Sequence, residues 1–64
     1  MKNRLKDLRT EHNWTQADLA QRVSVSRQTI NAIEKGKFGP SLPLVFRLTK
    51  LFNLKIEEIF LDDQ

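Results

Sequence analysis

Cysteine is absent from the 64 residues, and the chain has only one histidine and two glycines. Without cysteine no disulfide, thiolate metal site or thiol nucleophile can form, and His12 alone cannot supply a multi-histidine zinc site. Gly36 and Gly39 are too few for a glycine-rich phosphate loop, and there is no nucleophile elbow that would expose a catalytic serine. We therefore expect no enzymatic activity, no metal and no cofactor.

Long apolar runs are also missing. No stretch of about 18 apolar residues predicts a membrane span, and the first residues lack the charged-then-apolar pattern of a secretory signal. We expect a soluble, cytoplasmic protein with no membrane partner. A chain of this length buries only about 60% of the surface that its unfolded form exposes. Residues 1–64 are accordingly expected to form one domain with a thin core.

The charge is modest in sum but uneven along the chain. The net charge is +3. Residues 1–37 carry eight basic and four acidic side chains, whereas residues 38–64 carry three basic and four acidic ones. Neutralisation of phosphates supplies most of a protein's sequence-independent affinity for DNA. The N-terminal half is therefore the half suited to a nucleic acid.

Two helix starts lie close together in this basic half. Thr15 and Ser26 can each accept a hydrogen bond from the free N–H groups that open a helix, and Asp18 completes a capping box with Thr15. The first of these helices, residues 16–23, has room for only about two turns before the chain turns through Ser24 and the next residue. Two helices linked so tightly are expected to cross steeply.

The second of these helices, expected over about residues 27–35, has one apolar face and one hydrogen-bonding face. At about 100° per residue, Ile30 and Ile33 share one side. The opposite sector contains Arg27, Gln28, Asn31, Ala32 and Lys35. Arginine can fork onto guanine, glutamine and asparagine can pair with adenine, and alanine can touch a thymine methyl group. One such residue is common on any solvated helix, but five together indicate a helix that reads DNA.

Three further helices complete an all-α architecture of five helices. Leucines at helical spacing predict a first helix over residues 2–11. A fourth is expected over residues 42–52, after the cap Ser41, and a short fifth over residues 56–60. Asn53 is expected to close the fourth helix in the left-handed conformation, as glycine often does.

The segments TQADLA at residues 15–20, SRQTI at 26–30 and IEKG at 33–36, with Arg9 in the first helix, resemble the Cro/C1-type helix-turn-helix regulators, also called the XRE family. The resemblance covers nearly the whole chain. It implies a lambda-repressor-like fold, sequence-specific binding of double-stranded DNA and regulation of transcription, most simply by repression. Ser24 departs from the pattern, because the family usually has glycine at this turn position.

The resemblance also implies roles for individual residues. Gln16 is expected to contact a phosphate and to support Gln28, which reads a base edge. Arg9 and Glu34 match an ion pair that ties the third helix to the first. Together with the chemistry of the exposed face, this predicts base contacts from Arg27, Gln28, Asn31 and Ala32, and phosphate contacts from Gln16, Lys35 and Lys37.

The C-terminal third is richer in large apolar residues than a thin core requires. An exposed apolar patch commonly marks an association surface, and a twofold dimer would set two reading helices about 34 to 36 Å apart. We expect a homodimer whose interface uses Phe46, Leu54, Ile56, Phe60 and Leu61. Two alternatives stay open: these residues close the five-helix core, or they bind another protein, as in an antitoxin-like or co-regulator subunit.

Overall fold

The structure is a computed structural model that describes residues 1–37 and 39–61. Within these residues it contains five helices, and it confirms the all-α fold. The helices are α1 (Leu5–Glu11), α2 (Gln16–Arg22), α3 (Arg27–Glu34), α4 (Leu42–Phe52) and α5 (Ile56–Ile59). The predicted α4 is confirmed in both bounds, and α2, α3 and α5 each end one residue earlier than predicted. No helix within the described residues has the length and apolar character needed to cross a membrane.

The predicted helix caps are confirmed. The Thr15 hydroxyl accepts a hydrogen bond from the Asp18 backbone N–H at 3.0 Å, and the Asp18 carboxylate accepts one from the Thr15 N–H at 2.9 Å. Ser26 accepts from the backbone N–H of Thr29 at 3.1 Å. Ser41 caps α4 in the same way. Each cap satisfies N–H groups that the first turn of a helix leaves without a partner.

Helices α1 to α4 all end on a residue in the left-handed conformation. These residues are Asn13, Ser24, Gly36 and Asn53, with φ of 59°, 60°, 73° and 54°. After α2, for example, the Val25 N–H donates to the Ala20 carbonyl at 3.0 Å, which closes the last turn. Asparagine and glycine tolerate this conformation, but serine has no such advantage. The left-handed turn expected at Ser24 is therefore present without glycine.

The first helix begins later than predicted. Residues 2–4 lie outside the helix, and Asn3 forms an isolated antiparallel bridge with Phe60. The Arg4 N–H donates to the Ile59 carbonyl at 2.8 Å, and the Asn3 side chain accepts from the Leu5 N–H at 3.0 Å. The prediction of a helix over residues 2–11 was wrong at its start, because the Arg4 N–H bonds to the opposite end of the chain and the Leu5 N–H bonds to the Asn3 side chain.

The core lies between the helices and is aliphatic except for one phenylalanine. Its buried members are Leu5, Leu8, Leu19, Ala20, Val23, Ile30, Ile33, Leu44, Leu48, Ile59 and Phe60. Trp14 packs at its edge, with ring centroids 4.4 Å from His12 and 5.9 Å from Phe52. Only 8% of Phe60 is exposed. Phe60 therefore belongs to the core, and we remove it from the candidate interface residues.

Candidate nucleic-acid interface

Helix α3 is anchored through two isoleucines. Ile30 and Ile33 are completely buried, and α3 packs against α2 and α1. Full burial of such side chains stabilises a fold by roughly 1.5 to 3 kcal/mol each. Because both lie on one side of the helix, they fix which side of α3 faces away from the protein.

The side of α3 away from the isoleucines carries the predicted base-reading residues. Arg27 and Gln28 are exposed, and Asn31 and Ala32 are partly buried. Lys35, in the turn directly after the helix, is also exposed. The helix thus brings these side chains together on one accessible face, as the spacing predicted, with arginine and glutamine in its first turn.

The ion pair between Arg9 and Glu34 is present and nearly buried. Arg9 Nε donates to Glu34 Oε2 at 2.7 Å and Arg9 Nη2 donates to Oε1 at 3.2 Å, so the contact is bidentate. Only 11% and 5% of the two side chains are exposed. The hydrogen bonds to Glu34 raise the pKa of the Arg9 guanidinium above its ordinary value. The pair joins α1 to α3 and so helps to set the position of α3.

The Gln16 side chain contacts two residues of α3. Its Nε2 donates to Glu34 Oε1 at 3.0 Å and lies 3.4 Å from Asn31 Oδ1. No hydrogen bond between Gln16 and Gln28 occurs among the described residues, and the expected support of Gln28 stays a prediction. The Gln16 amide is thus oriented by its hydrogen bond to the buried Glu34 carboxylate at the C-terminal end of α3.

Two arginines make contacts at the end of α2 and with Trp14 that the sequence did not predict. Arg47 Nη1 donates to the Val23 carbonyl at 3.2 Å and so satisfies the end of α2 from a position 24 residues along the chain. The guanidinium of Arg22 lies 4.3 Å from the centroid of the Trp14 ring, which is a cation–π contact. No local sequence pattern indicates either contact, because each depends on how the helices pack.

Comparisons with known proteins place this geometry in a family. The sequence model of the helix-turn-helix family matches residues 5–59. An uncharacterised helix-turn-helix-type transcriptional regulator of Methanocaldococcus jannaschii is 59% identical over 66 residues, which cover 100% of both chains. The cryptic phage CTXphi transcriptional repressor RstR of Vibrio cholerae is 32% identical over 62 residues, which make up 97% of this chain and 56% of the repressor.

A solved structure has the same fold. The crystal structure of a transcriptional regulator from Listeria innocua matches with a TM-score of 0.82 at 22% sequence identity. The match covers 100% of this chain, which spans 64% of the Listeria chain. At that identity the likeness shows the fold alone, whereas the family match and the methanogen relative show the family. The chain belongs to the helix-turn-helix family of DNA-binding transcriptional regulators, in its Cro/C1-type branch.

Proposed function

We propose that the chain binds duplex DNA with α3 in the major groove and represses transcription by occupying a promoter. The observation that carries this proposal is the two-sided character of α3. Ile30 and Ile33 are fully buried, while Arg27 and Gln28 are exposed. A major groove admits an α-helix, and arginine, glutamine and asparagine match the hydrogen-bonding groups of base edges. In this proposal Arg27, Gln28, Asn31 and Ala32 contact bases.

Phosphate contacts would fix the position of α3 without reading sequence. Lys35 and Lys37 are both exposed and lie directly after α3, where they can reach the DNA backbone. Gln16, the first residue of α2, is the third proposed phosphate contact. Its side-chain nitrogen already donates to Glu34, so this contact would come from the backbone N–H of Gln16.

Alanine substitutions distinguish the two kinds of contact. Gln28→Ala should cost roughly 1 to 3 kcal/mol at the preferred site and relax the base preference at one position. Lys35→Ala should weaken binding to all sequences and reduce the salt dependence of log K by about one unit. Gln21→Ala, on the exposed side of α2, is the control and should change neither. Electrophoretic mobility shifts across a salt series measure these effects, and an unchanged site preference in Gln28→Ala would show that α3 is wrongly oriented.

We also propose a homodimer, supported by large apolar side chains that the fold leaves exposed. The exposed fractions are 62% for Leu42, 52% for Phe46, 45% for Ile56 and 38% for Leu61. Leu42 was not predicted. Leu54 is partly buried against the core, so its contribution to an interface is smaller. A contiguous apolar surface on a small protein is commonly an association surface.

The homodimer is tested by sedimentation at increasing protein concentration. The unmodified chain should sediment as a dimer at tens of micromolar, and Phe46→Asn should shift the equilibrium to the monomer. Lys6→Asn, at an exposed position of α1 outside the C-terminal apolar residues, is the control and should leave the dimer intact. Monomer alone, with and without DNA, would exclude the homodimer and favour a different protein partner for these residues.

Repression is proposed from the DNA-binding geometry together with the similarity to the phage repressor. A bound dimer at a promoter obstructs RNA polymerase without needing a second activity. We propose that this takes place in the cytoplasm. A reporter gene behind the selected binding site should lose expression when the chain is supplied and recover it with Gln28→Ala. Increased expression would show that the chain is an activator.

A further inference from the structure

Three polar side chains from α2 and α3 are connected in a row by hydrogen bonds under the proposed DNA-binding face. The buried Glu34 carboxylate is at one end, Gln16 is in the middle, and Asn31 is at the accessible end. Asn31 is one of the proposed base contacts. The direction of the hydrogen bonds through Gln16 therefore determines which group Asn31 offers to the DNA.

At the buried end of this row of side chains, the hydrogen bond can run in only one direction, from Gln16 to Glu34. Glu34 forms an ion pair with Arg9 at 2.7 Å, and a carboxylate in an ion pair can only accept hydrogen bonds. Gln16 lies 3.0 Å from Glu34 Oε1. Its amide must present nitrogen to the carboxylate, because a Gln16 oxygen at that distance would face another acceptor.

The same nitrogen determines the orientation of Asn31. Gln16 Nε2 carries two hydrogens, and the second is directed towards Asn31 Oδ1 at 3.4 Å. The contact is longer than a strong hydrogen bond, but only the oxygen of Asn31 is compatible with a donor at this position. Oδ1 is therefore turned inward, and Nδ2 with its two hydrogens is left to face outward.

We propose that Asn31 reads its base as a hydrogen-bond donor, with guanine preferred, because Glu34 fixes the Asn31 amide through Gln16. This inference rests on the proposed placement of α3 in the major groove. Pairing with adenine in two contacts requires the asparagine oxygen to accept from N6 while the nitrogen donates to N7. With Oδ1 engaged by Gln16 that pairing is lost. Guanine presents two adjacent acceptors, O6 and N7, to an amide nitrogen.

A selection from a random duplex library, read by sequencing, tests the inference. Asn31→Ala identifies the base position that Asn31 reads, because its preference disappears there. At that position the unmodified chain should favour guanine over adenine by roughly five-fold or more. Gln16→Met keeps the length of the side chain and the ion pair but frees the Asn31 amide to turn. Adenine should then be selected at least as often as guanine at this one position.

The matched control is Gln21→Met, the same substitution at an exposed position of α2. It should leave the selected sequence unchanged. Circular dichroism checks that each variant is folded at the temperature of the selection. Adenine preferred by the unmodified chain, or a guanine preference that survives Gln16→Met, would overturn the inference. If Asn31→Ala changes no position while the other positions stay selected, Asn31 reads no base and the inference fails alone. If no sequence is selected at all, the proposed function fails with it.

Side-chain amide NMR of the free protein gives a second test that needs neither DNA nor a variant. The two hydrogens on Gln16 Nε2 both lie against protein oxygens and should exchange slowly with solvent. Those on Asn31 Nδ2 face outward and should exchange at the rate of an exposed amide. Rapid exchange at Gln16 together with slow exchange at Asn31 would show the opposite polarity and overturn the inference.

Discussion

Removing either partner of the Arg9–Glu34 ion pair should destabilise the fold far more than removing both. The two side chains are 11% and 5% exposed, so a single substitution leaves an unpaired charge in a site that excludes most water. Loss of one partner from a buried pair typically costs about 3 to 5 kcal/mol. Arg9→Met and Glu34→Met are the two single variants, since methionine has a similar length and no charge.

The expected loss is large relative to the whole stability of the chain. At about 0.05 to 0.15 kcal/mol per residue, a chain of 64 residues has a free energy of unfolding of roughly 3 to 10 kcal/mol. Arg9→Met also removes the donor to the Trp14 carbonyl, an interaction at 2.8 Å that contributes about 1 kcal/mol. Both single variants should therefore be close to unfolded at room temperature.

The double variant should be much more stable than the sum of its parts predicts. No buried charge is left, and two methionines can pack against each other between α1 and α3. The remaining cost is the loss of hydrogen bonds to the Trp14 carbonyl and to Gln16, about 1 to 2 kcal/mol in total. We therefore expect a coupling free energy of at least about 2 kcal/mol between the two sites.

Urea unfolding followed by fluorescence and far-ultraviolet circular dichroism measures these values. Trp14 is the only tryptophan in the chain and reports on the edge of the core. Lys6→Met, at an exposed position of α1, is the control and should change the free energy of unfolding by less than about 0.5 kcal/mol. Single variants that each cost under about 1 kcal/mol and add in the double variant would refute the reasoning.

Two further predictions concern turns and caps. Ser24→Gly should raise the free energy of unfolding by about 0.5 to 1 kcal/mol, because serine is strained at φ 60° and glycine is not. A thermal melt of Ser24→Gly should show Tm higher by about 3 to 6 °C. Asn53→Gly, at φ 54°, should raise Tm by less, because asparagine tolerates this conformation. An equal rise in Tm for the two variants would contradict the argument. The hydrogen bond from the Thr15 N–H lowers the pKa of the Asp18 carboxyl in the folded protein. The ionised Asp18 carboxylate therefore stabilises the fold above the pKa that Asp18 has in the unfolded chain. This stabilisation is lost as the pH falls through the pKa of Asp18 in the folded protein. Asp18→Asn should therefore show a smaller drop in Tm below about pH 4 than the unmodified chain, and an equal drop would contradict the assignment.

Much of this fold could be predicted because the signals are local. Thr15, Ser26 and Ser41 each bond to an N–H group three residues ahead. Such a contact depends only on neighbouring residues, so the sequence indicates where these helices begin. The apolar face of α3 was predictable for the same reason, since the 3.6-residue repeat alone places Ile30 and Ile33 together.

The errors concern contacts between residues that are distant in the sequence. Residues 2–4 have a sequence compatible with a helix, yet the Arg4 N–H bonds to the carbonyl of Ile59, 55 positions away. Phe60 is buried by the same pairing of the two ends. The contacts of Gln16 with Glu34 and Asn31, which lie 18 and 15 positions away, were not predicted either. No periodicity or cap signals any of these contacts.

Stability and base preference share one carboxylate, so they should separate in a defined way. Glu34 holds α1 against α3 through Arg9 and directs Asn31 through Gln16. The Arg9→Met and Glu34→Met double variant removes the carboxylate and therefore both of these roles. Packing of the two methionines can restore the stability of the contact between α1 and α3. It cannot restore the orientation of the Asn31 amide. We expect a folded, DNA-binding chain in which adenine and guanine are selected about equally at the Asn31 position. If the double variant kept the guanine preference, something other than Glu34 would orient Asn31.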